Sequence, residues 1–247
     1  MAVDKICVRG VYFDSVDMNE AVQKCRDLFN SDGKPKIIHT PNAEIVQLCV
    51  EQPEYYNLIN GADIIIPDGA GVILAAKILK TPLVKGKVAG IELGENLIKL
   101  SAELGWKVFL YGGKPDVADL AAEKLTAKYP NLNICGTNDG FEKDNDVVIN
   151  KINDSGAEFL IVCLGVPRQE KWMRDNIDKL NVRLMVGLGG SIDGYAGIVK
   201  RAPKLFLKLN LEWFYRLIKE PKRIGRMMKL PKFIFGTINY KFKNKNR

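Results

Sequence analysis

Asp68 is the residue whose type and position in this sequence point most directly to chemistry. It follows the β-branched run Ile64-Ile65-Ile66, which predicts a buried strand, and it precedes a predicted helix that ends near Leu79. In an open parallel sheet, ligands bind at the carboxyl ends of the strands, where a carboxylate can act as a general base. Because Asp is also a common N-cap residue, the sequence leaves both roles open for Asp68.

A glycine pair marks the end of another predicted strand. Gly112 and Gly113 precede Pro115, which is the expected first residue of a helix. Backbone amides at such a helix start have no helical partner, and they can bind an anion beyond the strand. Together with a second glycine-rich turn at 187–194, this turn suits a diphosphate.

Further turns place polar side chains at the same edge of the sheet. Arg168 and Gln169 begin the helix that follows the strand predicted at 159–164, and both side chains can bind phosphate or sugar hydroxyls. Asp193 lies in the turn at 187–194. Tight turns and helix caps explain each turn taken singly, but the turns together predict a substrate site that includes these three residues.

The hydrophobic pattern predicts the strands and helices that position these turns. Strands and helices alternate along residues 1–199, which indicates an α/β, Rossmann-like fold with a mostly parallel sheet and helices on both faces. After a strand or hairpin at 5–13, the predicted strands are 36–39, 63–66, 106–111, 132–135, 159–164 and 182–186. They alternate with helices at 17–29, after Asn42 with apolar positions Ile45, Val46, Leu48 and Cys49, at 70–79, 91–104 and 115–128, from about 145, and at 168–176.

Residues 200–247 form a basic, helical C-terminal appendage in this prediction. They contain 15 Lys and Arg against 2 acidic residues, a net charge of +13, whereas residues 1–199 have a net charge of −5. Apolar and basic residues are interleaved there, which suits a helix lying in the interface of an anionic membrane. In a continuous helix Arg216, Arg223 and Arg226 share one face, although Pro221 is expected to break it.

Three other patterns carry less weight. The pair Asp144 and Asp146 matches the D-x-D motif of metal-binding nucleotide-sugar enzymes, but acidic residues also favour a helix start. His39 is the only histidine, and its place on a strand favours a packed role over a catalytic one. The dinucleotide fingerprint G-x-G-x-x-G is absent, which argues against an NAD(P)-dependent oxidoreductase.

Six motifs resemble, in order and spacing, those of the WecG/TagA/CpsF glycosyltransferase family over about residues 1–205. The tail resembles the appendage of the TagA branch, which transfers N-acetylmannosamine from its UDP donor to undecaprenyl-diphosphate-linked N-acetylglucosamine and so primes wall teichoic acid. The motifs are His39–Asn42, Pro67–Val72, Val88–Leu93, Phe109–Gly113, Gly165–Glu170 and Lys200–Pro203.

The resemblance implies roles for individual residues. It makes Asp68 the base that deprotonates the acceptor's 4-hydroxyl, places Thr40 and Asn42 in the same pocket, and brings Gln169 to the donor. Lys87 stands where the family usually has Arg, which keeps the charge but loses the bidentate fork. Family members need no divalent metal, so we expect no metal and no cofactor, with the leaving UDP stabilised by helix amides and cations.

The expected partners follow from the tail and from the resemblance. They are a UDP-sugar donor, a polyprenyl-diphosphate-linked acceptor and an anionic membrane, which the chain meets from the cytoplasm at the inner face of the cell membrane. A homo-oligomer is compatible with the apolar segments near 72–100 and 205–218. Two alternatives stay open, namely another UDP-sugar donor, or a nucleic-acid-binding module that uses the basic tail, although no nucleic-acid-binding motif is present.

Overall fold

The fold is taken from a computed structural model, which describes residues 5–81, 85, 88–203, 206, 212–219, 225 and 228–244. Within these residues, six parallel strands form the central sheet. In chain order they are β3 Lys36–His39, β4 Ile64–Ile65, β5 Lys107–Gly112, β6 Asn133–Asn138, β7 Phe159–Cys163 and β8 Leu184–Gly187. Their order across the sheet is β4-β3-β8-β7-β5-β6, so the predicted parallel α/β sheet is confirmed.

An antiparallel hairpin precedes the sheet, formed by β1 Lys5–Val8 and β2 Val11–Asp14. Asp14 fastens it to the sheet, because its Oδ2 accepts a hydrogen bond of 3.0 Å from the backbone N–H of Ile65. The hairpin therefore lies along β4, at one edge of the sheet.

Helices pack on both faces of the sheet. Along β5, Val108 and Leu110 face one apolar cluster, and Phe109 and Tyr111 face the other, as expected for a strand that is buried on both sides. The helices are α1 Met18–Phe29, α2 Ala43–Glu51, α3 Glu54–Asn60, α4 Ala70–Ile78, α5 Gly90–Leu104, α6 Val117–Lys128, α7 Asn145–Asp154, α8 Arg168–Asn176, α9 Ser191–Tyr195, α10 Glu212–Lys219 and α11 Lys229–Asn244.

The last helix, α11, packs against the core formed by the first third of the chain. It lies on α2 and α4, and its Phe233 and Thr237 side chains are fully buried. Gly71 of α4 permits this approach, since a Cβ there would lie 2.7 Å from Leu230 Cδ1. The division of the chain at 199/200 stays a prediction, but residues 229–244 share their apolar contacts with residues on the other side of it.

Several predicted features of the appendage lie outside the described residues. Arg223, Arg226 and the expected helix break at Pro221 are among them, and Arg216 lies in α10 without a described side chain. Lys87, which precedes α5, also lies outside the described residues. Among the helices that the structure does describe, none is long and apolar enough to cross a bilayer.

Candidate active site

Asp68 lies at the carboxyl edge of the sheet, in the loop between β4 and α4. Its backbone N–H donates to the carbonyl of Pro41 at 3.3 Å, which ties this loop to the loop that follows β3. The N-cap position of α4 belongs to Gly69, whose φ of 81° is in the left-handed region that favours glycine. Gly69 rather than Asp68 therefore occupies the N-cap position, and the role of Asp68 as a base stays a prediction.

Gly90, the first residue of α5, brings Thr40 and Asp68 to the same small space. A Cβ on Gly90 would lie 3.1 Å from Thr40 Oγ1 and 3.5 Å from Asp68 Oδ2. The amino-terminal end of a long helix carries partial positive charge, which favours an anion at this point. A hydroxyl, a carboxylate and a helix terminus thus meet at the ends of the neighbouring strands β3 and β4.

Asn42 caps the helix that follows β3. Its side-chain oxygen accepts hydrogen bonds from the backbone N–H groups of Glu44 (2.9 Å) and Ile45 (3.2 Å), so it begins α2. The predicted contact between Asn42 and substrate would therefore come from its amide nitrogen. A Cβ on Gly69 would lie 3.9 Å from Asn42 Cβ, which places Asn42 beside the loop that carries Asp68.

The glycine pair at the end of β5 begins a longer connection to the next helix than the sequence predicted. Gly112 and Gly113 have φ values of 130° and 78°, and α6 begins only at Val117. The N–H of Gly113 donates to the carbonyl of Cys163 at 3.2 Å. This amide is already used within the protein, so an anion at this turn would bind the neighbouring amides.

Arg168 stands near the same turn. Its Nη2 donates to the carbonyl of Gly140 at 2.6 Å, and Gly140 in turn donates its N–H to the carbonyl of Gly113 at 2.9 Å. The exposed guanidinium is thereby held over the ends of β5 and β6. This placement leaves part of a planar cation available to a phosphate.

Gln169 and Glu170, the next residues of α8, are buried, with 3% and 1% of their surface exposed. Gln169 Oε1 accepts a hydrogen bond of 2.8 Å from the N–H of Gly189, in the turn after β8, and Gln169 Nε2 donates to Glu170 Oε1 at 2.8 Å. Gln169 therefore binds the glycine-rich turn directly, and both ends of its amide already have partners in the protein.

Glu170 is an unusual residue for so enclosed a position. Its Oε2 has no hydrogen-bond partner among the described residues, and burial raises the pKa of its carboxyl from the ordinary 4.5 to about 7. Because the folded state holds the proton more tightly, this carboxyl's contribution to stability is fully present below pH 4.5. That contribution, about 3 kcal/mol, is lost as the pH rises through 7.

Asp193 lies in α9, the short helix after the turn at 187–190. Its backbone carbonyl accepts the N–H groups of Ile198 (2.9 Å) and Val199 (3.1 Å). A Cβ on Gly190 would lie 3.8 Å from Asp193 Oδ2, so the carboxylate is close to the glycine-rich turn. Asp193 thus belongs to the same edge as Gln169.

Two patterns that the sequence analysis gave less weight have structural roles. His39 is buried, with Nδ1 3.3 Å from the carbonyl of Ile59, and burial lowers the pKa of its imidazole to about 4. Asp144 caps α7 by accepting the N–H groups of Asp146 and Val147. Within the described part of the chain, no cluster of three or more His, Cys, Asp or Glu could hold a metal ion.

The structure thus brings Asp68, Thr40 and Gln169 together around β4, β3 and β8, whereas Arg168 and the glycine pair lie towards β5. No individual role for Glu170 or Gly90 was apparent from the sequence. A glutamate in the first turn of a helix is usually solvated, so the sequence contains no signal that Glu170 is buried.

Known proteins are similar to this chain over nearly its whole length. The model of the glycosyl transferase WecG/TagA/CpsF family matches residues 6–247. Two relatives, from Staphylococcus aureus strains MRSA252 and MW2, are each 34% identical to it over 242 residues, which is 98% of this chain and 95% of theirs. Both are named N-acetylglucosaminyldiphosphoundecaprenol N-acetyl-beta-D-mannosaminyltransferase. By this match and these relatives, the chain belongs to the WecG/TagA/CpsF family of glycosyltransferases.

Proposed function

We propose that this glycosyltransferase moves N-acetylmannosamine from UDP-N-acetylmannosamine to undecaprenyl-diphosphate-linked N-acetylglucosamine. The product is the β-1,4-linked disaccharide that primes wall teichoic acid. The names of the relatives support the donor and the acceptor. The observation that supports the proposed reaction is the convergence of the Asp68 carboxylate and the Thr40 hydroxyl at the amino-terminal end of α5.

The proposed reaction is a single inverting displacement. Asp68 takes the proton of the acceptor's 4-hydroxyl, the acceptor oxygen bonds to the anomeric carbon of the donor, and UDP leaves from the opposite face. One carboxylate suffices, because UDP is a good leaving group. The negative charge that develops on UDP would be stabilised by backbone amides and by cations.

The remaining predicted residues fit around this reaction. In the proposal, Arg168 and the turn at 112–113 bind the donor diphosphate, and Lys87 adds a further cation. The other contacts to donor and acceptor come from Thr40, Asn42, Gln169 and Asp193. The arginines of the appendage, Arg216, Arg223 and Arg226, close over the lipid diphosphate.

The C-terminal helix supports a peripheral position on the inner face of the cell membrane. Opposite its buried residue Phe233, α11 and the residue preceding it expose Met228, Phe235 and Phe242, which are 60%, 72% and 64% accessible. These three follow one another at intervals of seven residues, so they form one stripe along the helix, which we call the aromatic stripe. Aromatic rings flanked by lysines are suited to a bilayer interface, where a polyprenyl-anchored acceptor resides.

Replacing both rings of the aromatic stripe is expected to weaken membrane binding. The double variant Phe235→Ser, Phe242→Ser should bind sedimented phosphatidylglycerol vesicles at least about tenfold less than the native chain, since burying one Phe contributes about 1.5–3 kcal/mol. Phe141→Ser is the matched control, because Phe141 is 64% exposed on the other part of the chain. If the double variant sediments like the native chain, the stripe does not face lipid.

Release of UDP tests the proposed function itself. UDP-N-acetylmannosamine should release UDP only when a lipid-diphosphate-N-acetylglucosamine acceptor is present, and release should persist in EDTA. Release with another UDP-sugar alone would keep the family and replace the donor. If no donor reacts and the chain instead binds RNA in a salt-sensitive way, the nucleic-acid alternative is favoured.

A further inference from the structure

Gln169 and Glu170 form a buried pair whose geometry is unusual for a helix. Neighbouring residues on a helix normally point about 100° apart and do not face each other. Here the Gln169 amide nevertheless donates to the Glu170 carboxyl at 2.8 Å, in a place where both side chains are almost inaccessible. Glu170 has one further oxygen without a partner among the described residues, so its enclosure is not explained by a complete set of hydrogen bonds.

The carboxyl of Glu170 decides which way the Gln169 amide faces. Because Oε1 of Glu170 accepts a hydrogen bond, the nitrogen end of the amide turns towards it. The oxygen end is then left to accept the N–H of Gly189, at 2.8 Å. With the amide reversed, its NH₂ group would face another N–H, and two donors would meet.

The Gln169 amide in turn holds the turn at 187–190 from one side. A Cβ on Gly187 would lie 2.7 Å from Gln169 Nε2, so only glycine gives the side chain this place against β8. Thr40 holds the same turn from the other side, because its Oγ1 donates to the carbonyl of Gly187 at 3.0 Å. A shift of this turn would therefore move Thr40, which shares the space beside Gly90 with Asp68.

We propose that Glu170 is a positioning residue of the donor site: it orients the amide of Gln169, and Gln169 holds the turn at 187–190 beside Thr40. This inference rests on the proposed function, in which the donor sugar binds at this edge of the sheet. Glu170 itself touches no substrate. Its effect reaches the donor only through Gln169.

Hydrogen exchange tests the positioning without any substrate. In full-length Glu170→Met, which fills a similar buried volume but cannot accept the hydrogen bond, the Gly189 amide should exchange about tenfold faster than in the native chain. Glu170→Gln keeps an accepting oxygen and should restore slow exchange, while the amides of α1 stay unchanged in both variants. If the Met variant does not melt cooperatively, Glu170→Ala replaces it. Unchanged exchange at Gly189 would overturn the proposal.

Steady-state kinetics test whether this positioning affects donor binding. Glu170→Met should raise the donor KM about tenfold with little change in kcat, because the proposed contact of Gln169 with the donor is displaced. Glu170→Gln should recover most of that loss. The double variant with Gln169→Ala should be no worse than Gln169→Ala alone, since Glu170 acts through Gln169. Additive losses, or a Gln variant as impaired as the Met variant, would overturn the proposal. A native chain without turnover would instead refute the proposed function, and the exchange result at Gly189 would still decide the role of Glu170.

Discussion

Asp68→Asn is expected to lower acceptor-dependent UDP release at least about 100-fold, the lower end of what a positioned general base contributes. The variant keeps the size of the side chain and its ability to accept hydrogen bonds, but an amide cannot take a proton from the acceptor's hydroxyl. The loss should appear in kcat, with the donor KM little changed, because the missing interaction operates in the transition state. UDP release at saturating donor and acceptor measures it.

Asp144→Asn is the control for this substitution. It makes the same chemical change at the N-cap of α7, where Asn caps as well as Asp does, so both stability and turnover should stay close to those of the native chain. A variant at Asp68 that retained native turnover would show that another group accepts the proton. The geometry of Thr40 and Asp68 at Gly90 would then need a different explanation.

Gly112→Ala is expected to cost at least about 4 kcal/mol of folding stability, which is exceptional for a single added methyl group. The new Cβ would overlap the carbonyl group of Cys163 and lie 2.8 Å from its Cα, at the end of the neighbouring strand. The φ of 130° at this position adds strain for any residue with a side chain. Denaturant unfolding of the variant gives the loss directly.

Gly105→Ala separates the steric overlap from the backbone strain. Gly105 also has a left-handed backbone, with φ 74°, but nothing lies within 4 Å of the position of its Cβ. Its replacement should therefore cost only about 1–2 kcal/mol, the backbone term alone. If the two variants were equally stable, the close approach of β5 and β7 at Cys163 would not be the reason why glycine is needed at Gly112.

Residues with a strong local signal were the ones that the sequence predicted well. The helix at 168–176 was predicted with its observed bounds, because Gly165 and Pro167 mark its start. The first helix was predicted at 17–29 and is observed at Met18–Phe29, with Asp17 as its N-cap and Glu20 completing a capping box. By contrast, α6 begins at Val117 and not at the predicted residue 115, because Asp116 adopts a left-handed φ of 68°. No sequence pattern predicts that conformation.

Part of the candidate site was likewise predictable from the sequence, and part was not. The placement of Asp68 and Thr40 at strand ends follows from the order of strands and turns, which the hydrophobic pattern reveals. Their convergence at Gly90 depends on how α5 packs, and the burial of Glu170 depends on how α8 packs against the sheet. Both are tertiary effects between segments far apart in the chain, and no local pattern encodes them.

The packing of α11 on α2 and α4 also has a consequence for the biosynthesis of the chain. Residues 43–78 emerge from the ribosome well before Leu230 and Phe233, which cover their apolar surfaces. The amino-terminal segment can begin to fold during translation. Its core is closed only after α11 has emerged from the ribosome, so messages truncated before codon 229 would yield chains with an uncovered apolar face, recognisable to chaperones and proteases.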